Sequence, residues 1–181
     1  MQNLGSGKLN IIVAVYGLKI VTDEISGFII DGYPQTFSLT VNNYTIKEDG
    51  WRGQQKSLTV LYNYDGGELN VATAKEGDIL NINPAHIRKQ KFPENHFNIN
   101  GLSVLAATYG PDDVTYKVRN MISPYNTLSF RADNEIFGDS WYGVPKTLVV
   151  ILGNDDEVRS VEIFTEREIC YIDLNDAVPA I

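Results

Sequence analysis

Histidine and cysteine are nearly missing from this chain of 181 residues, which has two of the first and one of the second. With Cys170 alone, an intramolecular disulfide is impossible. Two histidines ten residues apart and one distant cysteine do not make zinc-ligand spacing. Both histidines, His86 and His96, fall in one short stretch near the middle of the chain. A Ser-His-Asp or Cys-His arrangement would have to be built around them. Lysine and arginine are also scarce, 15 against 23 aspartates and glutamates, for a formal net charge of −8. That balance argues against a nucleic-acid partner, whose phosphates call for clustered cations. No apolar run approaches the roughly 20 residues of a membrane-spanning helix. Met1 to Lys8 lacks the apolar core of a signal peptide. The expectation is a chain that is cytoplasmic, or exported without a leader.

What the chain does have is a near-duplicate of itself. Tyr16-Gly17, then Thr22, Ile25 and Ile29, match Tyr109-Gly110, then Thr115, Val118 and Ile122, at an offset of 93. Trp51 to Leu58 match Trp141 to Leu148 at an offset of 90, and so do Glu76, Ile79 and Ile82 with Glu166, Ile169 and Ile172. Hydrophobic content of 43%, with ten tyrosines and seven phenylalanines, marks a folded chain. The acidity is not shared. Residues 1–90 carry 8 basic and 9 acidic side chains, and residues 91–181 carry 7 and 14. Cys170 aligns with Leu80, an apolar strand position, so burial is expected and not nucleophilic chemistry.

The repeat reads as β. Leu9 to Val15 and Leu102 to Thr108 are short apolar runs rich in β-branched residues, which predicts buried strands. Val21 to Ile30 is ambiguous. Val114, Val118, Met121 and Ile122 would share one face of a helix, yet Val114 to Val118 also alternates, and its β-branched and aromatic content favours strand. Phe37 to Val41 and Leu128 to Ala132 alternate and stop at Asn42-Asn43 and Asp133-Asn134. A loop carrying the tryptophan follows, then a hairpin turning at Asp65-Gly66-Gly67 or at Gly153 to Asp156, then a last short strand. The expected fold is all-β: two homologous antiparallel β-sandwich repeats packed together. The first spans 1–84, a linker 85–99 and the second 100–181.

The combined pattern of Tyr16-Gly17 with Lys56-Ser57-Leu58-Thr59-Val60, and of Tyr109-Gly110 with Lys146-Thr147-Leu148-Val149-Val150, resembles a known family. It is the β-rich C-terminal domain of the DnaJ-like subfamily C member 11 proteins, a domain of unknown function also seen in bacterial and fungal chains. There is no J-domain and no His-Pro-Asp signature here, so a co-chaperone role does not carry over. The resemblance implies a β domain used for interaction, with no catalytic residues to transfer.

Two Asp-x-Trp-x-Gly loops form the candidate site: Asp49 with Trp51, and Asp139 with Trp141 and the adjacent Tyr142. An indole face stacks on the apolar face of a sugar ring while a carboxylate accepts from its hydroxyls. The competing reading has each tryptophan closing the end of a sandwich core and each aspartate satisfying turn amides. Arg52 in the first loop should tolerate anions, and Tyr142 should favour flatter, less charged surfaces. The carboxylates at Asp112-Asp113 and Asp155 to Glu157 do not recur in the first copy, which argues against a repeat-encoded calcium site. An asymmetric site in the acidic half stays open. The basic run His86 to Lys91 reads as a balance for that acidic half. The expected function is a non-catalytic binding module without cofactors, lectin-like in its simplest form, with a carbohydrate or protein ligand. The alternative is a structural or assembly protein, such as a toxin-complex subunit, using the repeats for protein contacts and able to form homo-oligomers.

Overall fold

The computed structural model describes residues 7–84, 101–155 and 157–175. His86, His96 and the expected linker at 85–99 lie outside the described residues. The chain divides into two compact units, Met1–Gln90 and Lys91–Ile181. Strand accounts for 47% and helix for 12%, and no helix among the described residues exceeds five residues, so the chain is mostly β.

In the first unit, β1 (Leu9–Tyr16), β2 (Lys19–Ile20), β5 (Ser57–Tyr64) and β6 (Asn70–Lys75) form an antiparallel sheet in the order β2-β1-β5-β6. Helix α1 (Thr22–Ser26) leads from β2 to a second antiparallel sheet, β3 (Ile29–Ile30), β4 (Thr36–Thr40) and β7 (Ile79–Ile82), in the order β3-β4-β7. Helix α2 (Asn43–Ile46) connects β4 to the tryptophan loop. The second unit has β8 (Ser103–Tyr109), β9 (Asp112–Asp113), α3 (Thr115–Arg119), β10 (Thr127–Arg131), α4 (Asn134–Phe137), β11 (Thr147–Asn154), β12 (Glu157–Thr165) and β13 (Ile169–Asp173). Its sheets are β12-β11-β8-β9 and the pair β10-β13. Both units pair the tyrosine of the Tyr-Gly turn with the leucine after the Lys-(Ser/Thr) step: Tyr16 with Leu58, and Tyr109 with Leu148.

Alternation along the strands directs apolar side chains inward. One buried cluster of the first unit takes Ala14 and Tyr16 from β1, Leu58, Val60 and Tyr62 from β5, Phe37 and Leu39 from β4, and Leu80 and Ile82 from β7. The second unit's cluster draws in the same way on β8, β11, β10 and β13, and includes Cys170. Cys170 is fully buried, as its alignment with Leu80 implied, and burial pushes its thiol up to about 12.

The segment expected to be strand at Val21 to Ile30 is mostly not one. Thr22–Ser26 and its counterpart Thr115–Arg119 are helical, and only Ile29–Ile30 pairs as strand. The reason lies in one hydroxyl. Val21 N–H still donates to Ala14 O, as a continuing ribbon would. The Ala14 N–H, however, donates to Thr22 Oγ1 at 3.0 Å, and Ala107 N–H donates to Thr115 Oγ1 at 2.9 Å. The threonine side chain takes the place of the next strand carbonyl and ends the pairing. Val21 and Ile25, like Val114 and Val118, then lie one helical turn apart and are buried together. A second difference follows β4 and β10. Asn42 and Asp133 end the strands as expected, but they also cap a single helical turn, accepting from Thr45 N–H at 2.8 Å and Ile136 N–H at 3.1 Å. The tryptophan loops therefore follow helices α2 and α4 and do not follow a strand directly.

Candidate functional site

A buried lysine organises each tryptophan loop. Lys56 and Lys146 stand at the start of β5 and β11 and are only 3% and 2% exposed. Burying an ammonium is costly unless its donors are matched. Lys56 Nζ donates to Gln54 O at 2.7 Å and contacts Asp49 Oδ1 at 3.1 Å, Glu76 Oε2 at 3.4 Å and Trp51 O at 3.5 Å. Lys146 Nζ repeats this with Asp139 Oδ1 at 2.8 Å, Val144 O at 3.1 Å, Trp141 O at 3.4 Å and Glu166 Oε2 at 3.5 Å. The ammonium also lies 5.3 Å from the Tyr16 ring centre in one unit and 5.7 Å from that of Tyr109 in the other.

The Tyr-Gly turn completes the arrangement. Tyr16 and Tyr109 are fully buried, and their hydroxyls donate to Asn43 Oδ1 and Asn134 Oδ1, both at 2.9 Å. Gly17 and Gly110 have φ of +62° and +55°, and a Cβ at either position would meet the lysine stem at 3.0 Å. Glycine is needed there twice over, for the left-handed turn and for the room taken by the lysine methylenes. Glu76 and Glu166 each accept from the lysine's own backbone N–H at 3.1 Å. Tyr, Gly, Asn, Asp, Lys and Glu thus form one network in each unit, and it contains the motif residues that recur along the chain.

This network places the expected site residues. Asp49 and Asp139 each direct Oδ1 at the buried lysine, and the hydrogen bond from Lys56 holds the Asp49 carboxyl below the usual carboxylate range. Asp49 Oδ1 also accepts from Trp51 N–H at 3.3 Å. The backbone carbonyls of Trp51 and Trp141 face the lysine, while their side chains are half-buried. Arg52 and Tyr142 stand out at the loop tips, and Tyr142 is 92% exposed. Each aspartate is therefore brought together with the tryptophan backbone through a buried lysine that the strand pattern of the sequence does not mark as part of the site. Its signal was in the sequence: Lys56 and Glu76 recur as Lys146 and Glu166 at the same offset as the tryptophans.

No family model, curated protein or solved structure matches the chain.

The tyrosines make the core sensitive to alkali. Burial raises the hydroxyls of Tyr16, Tyr62, Tyr64 and Tyr109, with the charge of Glu76 adding at Tyr16 and that of Glu166 at Tyr109. Tyr64 is pushed up to about 12. An unfolded tyrosine ionises near about 10. Below that pH both states hold the proton and the folded state keeps its full stability. Above it only the unfolded chain releases the proton, so stability falls as pH rises from about 10 toward the folded values. Above about pH 10, the loss of the β circular dichroism spectrum should coincide with a cooperative step in tyrosinate absorbance from these four rings. A complete tyrosinate titration with the β spectrum intact would contradict the burial of these four rings.

Proposed function

We propose that the chain is a non-catalytic binding module made of two β-sandwich repeats that present their tryptophan loops to a carbohydrate or protein ligand. The observation that carries this reading is the lysine clasp. It holds two equivalent loops in one conformation and leaves a partly exposed tryptophan on each, beside Arg52 or Tyr142. A loop ordered before binding loses little entropy when it binds, and an aromatic ring offers contact area on two torsions. In each unit a single buried cluster takes residues from both sheets, which supports a sandwich. The same lysines support the non-catalytic reading. Each ammonium is spent on two carboxylates and two carbonyls, so neither lysine is available as a nucleophile or base. The resemblance to a β-rich interaction domain is consistent with this role.

A glycan array read beside a sizing measurement tests the proposal. Defined sugar binding, weakened by at least one of Trp51→Ala and Trp141→Ala in a chain that still folds, is the expected result. Glycosidase, esterase and protease substrate panels should show no turnover. A second reading, assembly through protein contacts, draws on Ile79 of β7 and on Ile169 and Tyr171 of β13, which are apolar and exposed on those strands. Silence on the array together with concentration-dependent oligomers would favour it.

A further inference from the structure

The two repeats differ at the helices beside the tryptophan loops, and the first unit has a depression there. It is open, about 660 Å3 in volume, and lies between Phe28, just past α1, and the segment Asn43 to Asp49. Tyr44 stands over it almost fully in solvent, 92% exposed, and Asp49 is shared with the tryptophan loop. In the second unit Glu135 follows Asn134 where Tyr44 follows Asn43, and Met121 takes the place of Phe28. There Lys117 on α3 also donates to Ile136 O on α4, tying together the two helices whose counterparts flank the depression. The residue aligned with Lys117 is Glu24, which cannot donate to that carbonyl. One unit therefore has an aromatic-walled recess, and the other has a lysine bridge in the matching place.

We infer that this recess is a saccharide subsite of the first unit alone, so that the chain takes one sugar where the repeat suggests two. The inference rests on the binding-module reading and names its site. Phe28 and Tyr44 supply apolar faces suited to a pyranose ring, and Asn43, Thr45, Glu48 and Asp49 supply polar groups along its border. The charges favour a neutral ligand over a cation. Glu48 is paired with Lys19 and Asp49 with Lys56, and Lys47 adds a positive charge on the rim. No carboxylate there is left without a nearby ammonium, so a cationic peptide gains little, whereas a sugar uses the same carboxylates as hydrogen-bond acceptors.

The test is a nitrogen-15 NMR titration of the whole chain with methyl glycosides of glucose, galactose, mannose and N-acetylglucosamine, and separately with a tri-arginine peptide. The expected result is saturable shifts at Phe28, Asn43, Tyr44 and Thr45 with one of the glycosides. Calorimetry should give a stoichiometry of one. Tyr44→Ala, at an exposed ring that the core does not need, should weaken binding at least about fivefold, and Tyr125→Ala, at an exposed ring of the second unit, should not. Sugar-induced shifts at both tryptophan loops, with a stoichiometry of two and no effect of Tyr44→Ala, would overturn this inference and leave the binding-module reading standing. Shifts at the recess with tri-arginine and with none of the glycosides would overturn the saccharide assignment. No shift with any glycoside, together with a silent array, would overturn both.

Discussion

Lys146→Met is expected to destabilise the second unit by about 3 kcal/mol. Methionine keeps most of the aliphatic stem that packs on Gly110 and lies beside Tyr109, so little packing is lost. The ammonium is lost, and with it the only cation recorded against Asp139 and Glu166 among the described residues. Two carboxylates and the carbonyl of Val144 then lose the ammonium they share, while Glu166 keeps the Lys146 and Asn134 N–H groups and Trp141 O keeps the Val144 N–H. Breaking a buried ion pair from one side costs more than the pair is worth, because the stranded charges stay. Some of that cost is relieved here, since both carboxylates reach solvent in part. Denaturant unfolding followed by hydrogen exchange on the amides of β11 assigns the loss to this unit. Lys117→Met, at an exposed lysine, is the control and should change stability by less than about 1 kcal/mol. Adding Asp139→Asn and Glu166→Gln to Lys146→Met should restore part of the loss, because the stranded charges are removed. If Lys146→Met costs no more than the control, the lysine does not hold the loop.

Gly50→Ala should be at least as damaging, and its aligned partner Ser140→Ala should be nearly silent. A Cβ on Gly50 would fall 1.8 Å from Tyr16 O and 2.9 Å from Tyr16 C. Both are backbone atoms of β1, which is held on one side by β2 and on the other by β5, so neither can yield as a side chain could. The loop would have to lift off the Tyr-Gly turn, breaking the 3.1 Å bond from Leu18 N–H to Gly50 O and drawing Asp49 away from Lys56. Overpacking against rigid backbone costs about 3 kcal/mol or more. Ser140 already carries a Cβ, is exposed, and occupies the corresponding place between Asp139 and Trp141. Its replacement should cost no more than about 1 kcal/mol. Thermal unfolding of the two variants side by side decides it. Equal stabilities would show that the loop of the first unit does not sit against the turn as described.

The strands and hairpins were legible because their signals are local. β1, β5, β8 and β11 are short apolar runs, and the first hairpin turns on Asp65-Gly66, where both residues take positive φ. The burial of Cys170 was legible because its partner in the repeat is a leucine. Helices α1 and α3 were not. Their five residues satisfy both a strand alternation and a one-turn spacing, and what decided between them was the hydroxyl of Thr22 or Thr115 capturing an amide of the neighbouring strand. That amide becomes a neighbour only when β2 or β9 folds back, so no reading of the segment by itself finds it. The same holds for α2 and α4, where Asn42 and Asp133 serve as strand terminators and as helix caps with the same side-chain oxygen.

The recurrence of Asp, Trp, Lys, Glu, Tyr and Gly was determined by the sequence, and so was their sorting into two β-rich copies. Periodicity and turn chemistry act over a few residues, and duplication compares like with like. The division of labour within the motif was decided by tertiary structure alone. Lys56 meets Asp49 seven residues back, Glu76 twenty residues on and the Tyr16 ring forty back, through two strand pairings and a loop. The convergence depends on β5 lying between β1 and β6, and burial then forces an ammonium to collect every acceptor in reach. A side chain that reads in the sequence as a polar step into a strand thus becomes the centre of the loop. The aspartates become its partners, and the exposed surface passes to Tyr44, Arg52 and Tyr142.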